Sequence, residues 1–306
     1  MKQGRGVARR LNHQLHGGAL PCGATPLAAP PANNAKRRSG GLGENSFSPN
    51  LAPPFEDSPL PMPPRLTHRR PPARPLPPPR LPAEPPPEIA ARILLRTETV
   101  LVLDKPADLA VHAGPRGGPS LEDWLPQLAF GKKRVPQPAH RLDTDTAGCL
   151  VLGRTKPALA ELGALFAEGR AEKTYWAVLS GPGPAANQGR IDLPLRKVSS
   201  AARGWRIEAH ADGQPATTLW RVLGRGGGFC WLELRPRTGR THQLRVHCAA
   251  LGWPILGDPF YGTPAPGGLH LLARAIRLPL EPPLAAEAPV PAAMRAAFAG
   301  CGFAGA

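Results

Sequence analysis

Half of the chain's prolines, 21 of 42, fall in its first 88 residues, where 12 Lys or Arg meet 5 acids and aliphatic runs are few. Such a stretch cannot bury enough apolar surface to offset the entropy of ordering its backbone. Within it, PPARPLPPPRLPAEPPP (71–87) favours extended polyproline II, a semi-rigid spacer. Met62 offers an internal start site in the same stretch. From Ile89 onward, apolar runs alternate with turn residues over roughly 215 residues, enough for a sizeable core. The expected organisation is a disordered Pro/Arg-rich tail, 1–88, followed by one compact domain, 89–306.

The formal charge of +16 divides between both parts, 12 basic against 5 acidic residues before Ile89 and 26 against 17 after it. A polyanionic partner is expected, and nucleic acid fits best, because counterion release from a phosphate backbone rewards scattered Arg and Lys. Cys22, Cys149, Cys230, Cys248 and Cys301 are odd in number and show no CxxC spacing, which argues against a disulfide framework or a zinc ribbon and for a reducing cytoplasm. No apolar run reaches the length of a membrane span, so no membrane partner is expected. Residues 1–43 contain no acid, as in an organelle transit peptide, but prolines and glycines interrupt any amphipathic helix there.

The pattern along the domain predicts strand, turn, strand over ILLRTETVLVL (93–103), a short helix over Leu121–Phe130 and a buried strand at Cys149–Leu152 ended by Gly153. A helix follows, with Thr155 as cap, Pro157 in its first turn, Leu159, Leu162, Leu165 and Phe166 on one face and Gly169 as stop. Lys173–Leu179, Thr217–Leu223 and Phe229–Leu234 read as strands. Thr241–Leu251 returns to helical spacing, with Leu244, Cys248 and Leu251 aligned, Thr241 as cap and Gly252 as stop. The class is α+β, a mostly antiparallel sheet core with peripheral helices.

Two stretches concentrate chemistry: HRLDTDTAG (140–148) and RPRTGRTHQLRVH (235–247). The second turns at Gly239 into a helix start, a disposition suited to phosphate or carboxylate oxygens. Together they resemble the signatures of the RluA-type family of RNA pseudouridine synthases. KTYWA (173–177) is similar to that family's Lys-x-Tyr-x-Ala strand, RTGRTHQLRVH (237–247) to its Arg-Thr-Gly-Arg-x-His-Gln segment, LDKPADLAVH (103–112) to its Lys-Pro opening, and GDPFYG (257–262) fits as well. Ala147 stands where the family usually has Ser, Asp108 where a Gly is common, and His270 is shifted relative to the family's Leu-His-Ala strand. The small RNA-binding domain that precedes the catalytic domain in many relatives has no counterpart in the proline-rich stretch.

The resemblance implies a pseudouridine-synthase-like fold and the isomerisation of uridines in structured RNA, tRNA and/or large-subunit rRNA, by a monomer without metal or small-molecule cofactor. It makes Asp143 the catalytic carboxylate, Arg245 its cationic partner and Tyr175 the aromatic that packs on the displaced base and helps remove the C5 proton. It also implies base flipping, with Arg141 holding the opened backbone or filling the gap, and with Lys173, Arg237, Arg240 and His242 as candidates for phosphate or ribose contacts. Moving uracil from N1 to C5 of its own ribose needs a carboxylate near the sugar, to attack C1′ or take a sugar proton, and no redox step. Two alternatives remain at this stage: a DxD metal pair, Asp143 and Asp145, with His140, His242 or His247 as ligands; and a non-catalytic RNA-binding protein.

Overall fold

The computed structural model describes residues 89–114, 118–200 and 204–305. The expected disordered tail lies outside the described residues. After a 3-10 turn at Ile89–Arg92, β1 (Ile93–Arg96) and β2 (Val100–Lys105) form the antiparallel pair expected from ILLRTETVLVL. The helix expected at Leu121–Phe130 is instead two 3-10 turns, Leu121–Asp123 and Leu125–Leu128. Pro126 lacks the N–H that a continuous helix would use, and Trp124 breaks the run with φ −108° and ψ −10°.

Next come β3 (Gln137–Pro138), β4 (Ala147–Gly153) and α1 (Lys156–Ala167). The Thr155 side chain accepts from the Ala158 N–H at the start of α1, and Leu162 and Leu165 are buried, as the sequence predicts. Strands β5 (Glu172–Ser180), β6 (Gln188–Asp192), β7 (Leu195–Ser200), β8 (Gly204–Ala209), β9 (Thr217–Gly226) and β10 (Phe229–Pro236) follow, then α2 (Gln243–Ala250), β11 (Leu271–Leu278), β12 (Leu284–Glu287) and α3 (Ala292–Gly300).

Ten strands make one sheet in the order β1-β2-β4-β11-β5-β10-β9-β6, with β12 on β11 and β3 on β4; β7 and β8 form a separate hairpin. The expected antiparallel character holds except where β11 pairs parallel to β4, Leu272 with Ala147 and Ala273 with Gly148. Gly148 makes that approach possible: its φ is +107°, and a Cβ there would lie 2.3 Å from the Ala273 carbonyl oxygen. Burial on both faces explains why β2 and β4 read as continuous apolar runs. Val100, Val102, Cys149 and Val151 pack with Leu162 of α1 and with Met294 and Phe298 of α3. Leu101, Leu103, Leu150 and Leu152 face the opposite way, onto Leu121, Trp124, Leu125 and Leu128.

The helix expected near Thr241–Leu251 is α2, and its Leu244 and Cys248 join Leu232 and Leu234 of β10 in a third cluster. Its cap is not Thr241. His242 occupies the N-cap in the left-handed region, φ +53°, and the Gln243 side chain supplies the acceptor for the Arg240 N–H at 3.1 Å. Asp108, where a Gly is common in the family, also takes a left-handed φ of +61°, a conformation that Asp tolerates better than most residues.

Candidate active site

The loop between β3 and β4 is HRLDTDT, and its alternation sorts inward anchors from outward groups. His140 stacks on Phe166 with ring centroids 4.2 Å apart, and its Nε2 accepts the Val151 N–H at 3.0 Å. Burial lowers its pKa to about 3, so the ring is neutral, as an acceptor Nε2 requires. Leu142 is buried against the β2 and β4 leucines. Arg141 is exposed and Asp143 is half-buried, and both line a cleft of about 320 Å³. That is at the lower end of small-ligand sites.

Beneath the loop lies Lys105, fully buried at the end of β2. Its Nζ donates to the carbonyls of Pro106 (2.7 Å), Leu109 (2.8 Å) and Thr144 (3.1 Å). Burial pushes the ammonium down to about 7 against the pull of Asp145 and Asp143. Three acceptors for three N–H groups is the hydrogen-bonding pattern of the charged form, so the geometry opposes the loss of its proton. Thr144 lies directly after Asp143, so this cation anchors the backbone that presents the carboxylate.

Facing the loop is the start of α2. Arg245 is 1% exposed, which rules out a solvated surface cation. Its two strongest contacts are to the fully buried Asp258: Nε to Oδ2 at 2.9 Å and Nη2 to Oδ1 at 2.7 Å. Its Nη1 stands 3.3 Å from Asp145 and 3.8 Å from Asp143. The expected pairing of Arg245 with Asp143 is therefore an ion pair without a direct hydrogen bond, and Asp258 is the carboxylate that fixes the guanidinium. Asp258 is itself set by the Phe260 and Tyr261 N–H groups, which donate to Oδ1 at 2.8 and 3.1 Å. Of the two carboxylates in DTD, Asp143 lines the cleft and Asp145 does not. Burial raises the Asp145 carboxyl above its usual range, with Arg245 opposing.

Tyr175 enters the cleft from β5. Burial first, then the nearby Asp143 charge, pushes its phenol above the ordinary value, so at neutral pH it offers a packing face and a hydroxyl rather than a phenolate. Lys173, two residues earlier on β5, lines the cleft with its ammonium disfavoured by burial. Arg240 and His242 line it too, and the exposed Arg240 donates from Nε to the Pro215 carbonyl at 3.2 Å. Arg237 is exposed and lies outside the cleft lining. Seven of the eight site residues expected from sequence thus meet at one cleft.

Sequence reasoning gave no role to Lys105, Asp258, Tyr261 or Trp205. Two of them, Asp258 and Tyr261, sit in the GDPFYG block, whose family likeness was the available signal. Trp205 on β8, 40% exposed, lies beside His242 with ring centroids 5.3 Å apart, and Lys197 stands over its ring. The metal alternative finds its histidines engaged: Nε2 of His140 by Val151, Nδ1 of His242 by Tyr261, and both nitrogens of His247 by Thr218 and the Leu193 carbonyl.

Comparison with known proteins gives one consistent result. The family profile described as RNA pseudouridylate synthase matches residues 99–250. A Zymomonas mobilis protein named as an uncharacterized RNA pseudouridine synthase is 45% identical over 213 residues, 68% of this chain and 97% of that one. The ribosomal large subunit pseudouridine synthase D of the same organism is 35% identical over 58% of this chain, which spans 57% of its length. Among solved structures, human RNA pseudouridylate synthase domain containing 4 superposes with a TM-score of 0.59 at 27% identity, covering 69% of this chain and 93% of its own.

Proposed function

This chain belongs to the RNA pseudouridine synthase family, and on that premise we propose that Asp143 is the carboxylate with which it isomerises particular uridines of tRNA and/or large-subunit rRNA. The observation that carries the assignment is placement. Asp143 is the carboxylate lining the cleft among the described residues, and it sits across from the buried, Asp258-fixed Arg245 with Tyr175 beside it.

The N1–C1′ bond breaks and a C5–C1′ bond forms within one nucleotide, and the C5 hydrogen leaves as a proton while N1 gains one. No electrons enter or leave. The Asp143 side chain is the group placed to attack C1′ or take a sugar proton, with the Arg245 guanidinium 3.8 Å away across the cleft. Tyr175 supplies a flat apolar face for the detached base.

A stacked uridine must leave its helix to reach this cleft. Arg141 and Arg240, exposed at its rim, are the groups suited to the opened backbone, with Lys173 and His242 deeper inside and Arg237 further out on the surface. Trp205 adds a face on which a neighbouring base can stack. The likeness to a large-subunit rRNA enzyme supports rRNA as one substrate class. The reading includes a monomer working in the cytoplasm without a bound cofactor; the four cysteines among the described residues are free and buried, which fits a reducing compartment.

The test incubates the full chain and its Asp143→Asn variant with unmodified tRNA and rRNA and maps pseudouridine chemically. Wild type is expected to modify defined positions, and the variant to lose more than about a hundredfold in rate while still binding RNA. Equal binding with no pseudouridine from either protein would favour the non-catalytic RNA-binding reading instead.

A further inference from the structure

His242 is held in an uncommon backbone conformation, φ +53°, and its ring is fixed by a partner from a distant loop. Its Nδ1 lies 2.8 Å from the hydroxyl oxygen of Tyr261, and the same oxygen accepts the backbone N–H of Ile207, on β8, at 3.1 Å. A backbone N–H can only donate, so the phenol oxygen is the acceptor in that contact. Burial pushes the Tyr261 phenol up to about 12, so it carries its proton at neutral pH. That proton has one recipient in hydrogen-bond reach among the described residues, His242 Nδ1. The imidazole must then accept at Nδ1, and a neutral ring carries its single hydrogen on Nε2.

Nε2 points at the catalytic end of the cleft, 4.0 Å from Asp143 Oδ1. The charged groups facing the ring are Asp143 and Asp258 on one side of the balance and Arg245 and Arg141 on the other; burial outweighs them all and keeps the ring neutral. Protonating Nδ1 would also force the Tyr261 hydroxyl to turn away from it while Ile207 still donates to the same oxygen.

We infer that Tyr261 is a positioning residue that locks His242 as the Nε2–H tautomer and so aims a neutral N–H donor at the Asp143 carboxylate, opposite the charged donor Arg245. The 4.0 Å gap closes to hydrogen-bond length with a shift of about 1 Å, the kind of tightening that catalytic contacts undergo when substrate binds. Because the acceptor of Ile207 is the same oxygen, β8 fixes the rotor of the hydroxyl that fixes the histidine. This inference rests on Asp143 as the catalytic carboxylate.

The experiment labels the histidines of the full chain with 15N and records long-range proton–nitrogen correlations at pH 7.5 without RNA, assigning His242 by its absence in His242→Gln. Wild-type His242 is expected to show a protonated Nε2 and an unprotonated Nδ1, and Tyr261→Phe to populate both tautomers. In parallel, Tyr261→Phe should lower kcat roughly tenfold while KM for RNA changes less than twofold. His242→Gln, whose amide nitrogen reaches the Nε2 position, should keep at least tenfold more activity than His242→Ala. A protonated Nδ1 in wild type overturns the inference, and so does a Tyr261→Phe protein with the wild-type tautomer and kcat. The wild-type spectrum decides the tautomer even if Tyr261→Phe does not fold. Full activity in Asp143→Asn would remove the carboxylate the donor serves, and with it the role inferred for His242, while leaving the measured tautomer intact.

Discussion

Asp143 and Arg245 face each other from supports of opposite kind. The loop carrying Asp143 is tied to backbone: Lys105 donates to three carbonyls and His140 accepts one N–H. The α2 wall is tied mainly by side chains to side chains: Arg245 to Asp258, Gln243 to Thr218 and Thr238, His242 to Tyr261. A backbone anchor that is lost leaves neutral dipoles, which can shift or find water. A charged pair that loses one member leaves an ion stranded in the interior. The two walls should therefore fail differently, the loop by loosening and the helix wall by collapse.

The largest expected effect breaks the helix wall. Asp258→Ala takes both hydrogen bonds from a guanidinium that is 1% exposed, leaving it only the longer ion pairs to Asp145 and Asp143, and should cost about 3 kcal/mol, read by denaturant unfolding. If it costs no more than an exposed substitution, the contrast between the walls is wrong. On the loop side, Lys105→Met leaves three carbonyls without their donor and should cost about 1–3 kcal/mol, with a fall in kcat larger than its change in KM, because Asp143 is less firmly presented. A loss as large as that of Asp258→Ala would place the loop in the same class as the helix wall.

The smallest effect concerns acid. His140 titrates near 3 in the fold and near 6.5 when unfolded, so between those values the unfolded chain binds more protons and stability rises with pH. Stability from this group is fully present above pH 6.5 and is lost as pH falls. Between pH 6.5 and 5.5 the loss should be about 1 kcal/mol. His140→Gln keeps an acceptor for Val151 and cannot titrate, so its unfolding curves should lose that much of the acid slope. An unchanged slope would show that His140 is not a neutral anchor.

The strands β2, β4, β5, β9 and β10 were legible because apolar, aromatic and β-branched residues dominate their runs. The hairpin β7–β8 was not, since Lys197 pairs with Ile207 and so puts a charge on the face of Leu195, breaking the alternation that marks a half-buried strand. The parallel joint of β4 with β11 leaves no local mark: Gly148 and Ala273 are 125 positions apart, and only their meeting shows why a glycine is needed. At the site, residue types and order pointed to Asp143, Tyr175 and Arg245. Their supports could not be read the same way: Lys105 and Asp258 lie in blocks matched to the family, but nothing in those blocks says that Asp258 grips Arg245 or that Lys105 is buried beneath the Asp143 loop.

That parallel joint also constrains when the enzyme can exist. In the sheet, β11 lies between β4, which follows the Asp143 loop, and β5, which carries Tyr175. Synthesis proceeds from the N-terminus, so β4 and β5 emerge with open edges and nothing between them until residues 271–278 clear the ribosome. A nascent chain stopped short of β11 would hold Asp143 and Tyr175 on two unjoined pieces of sheet.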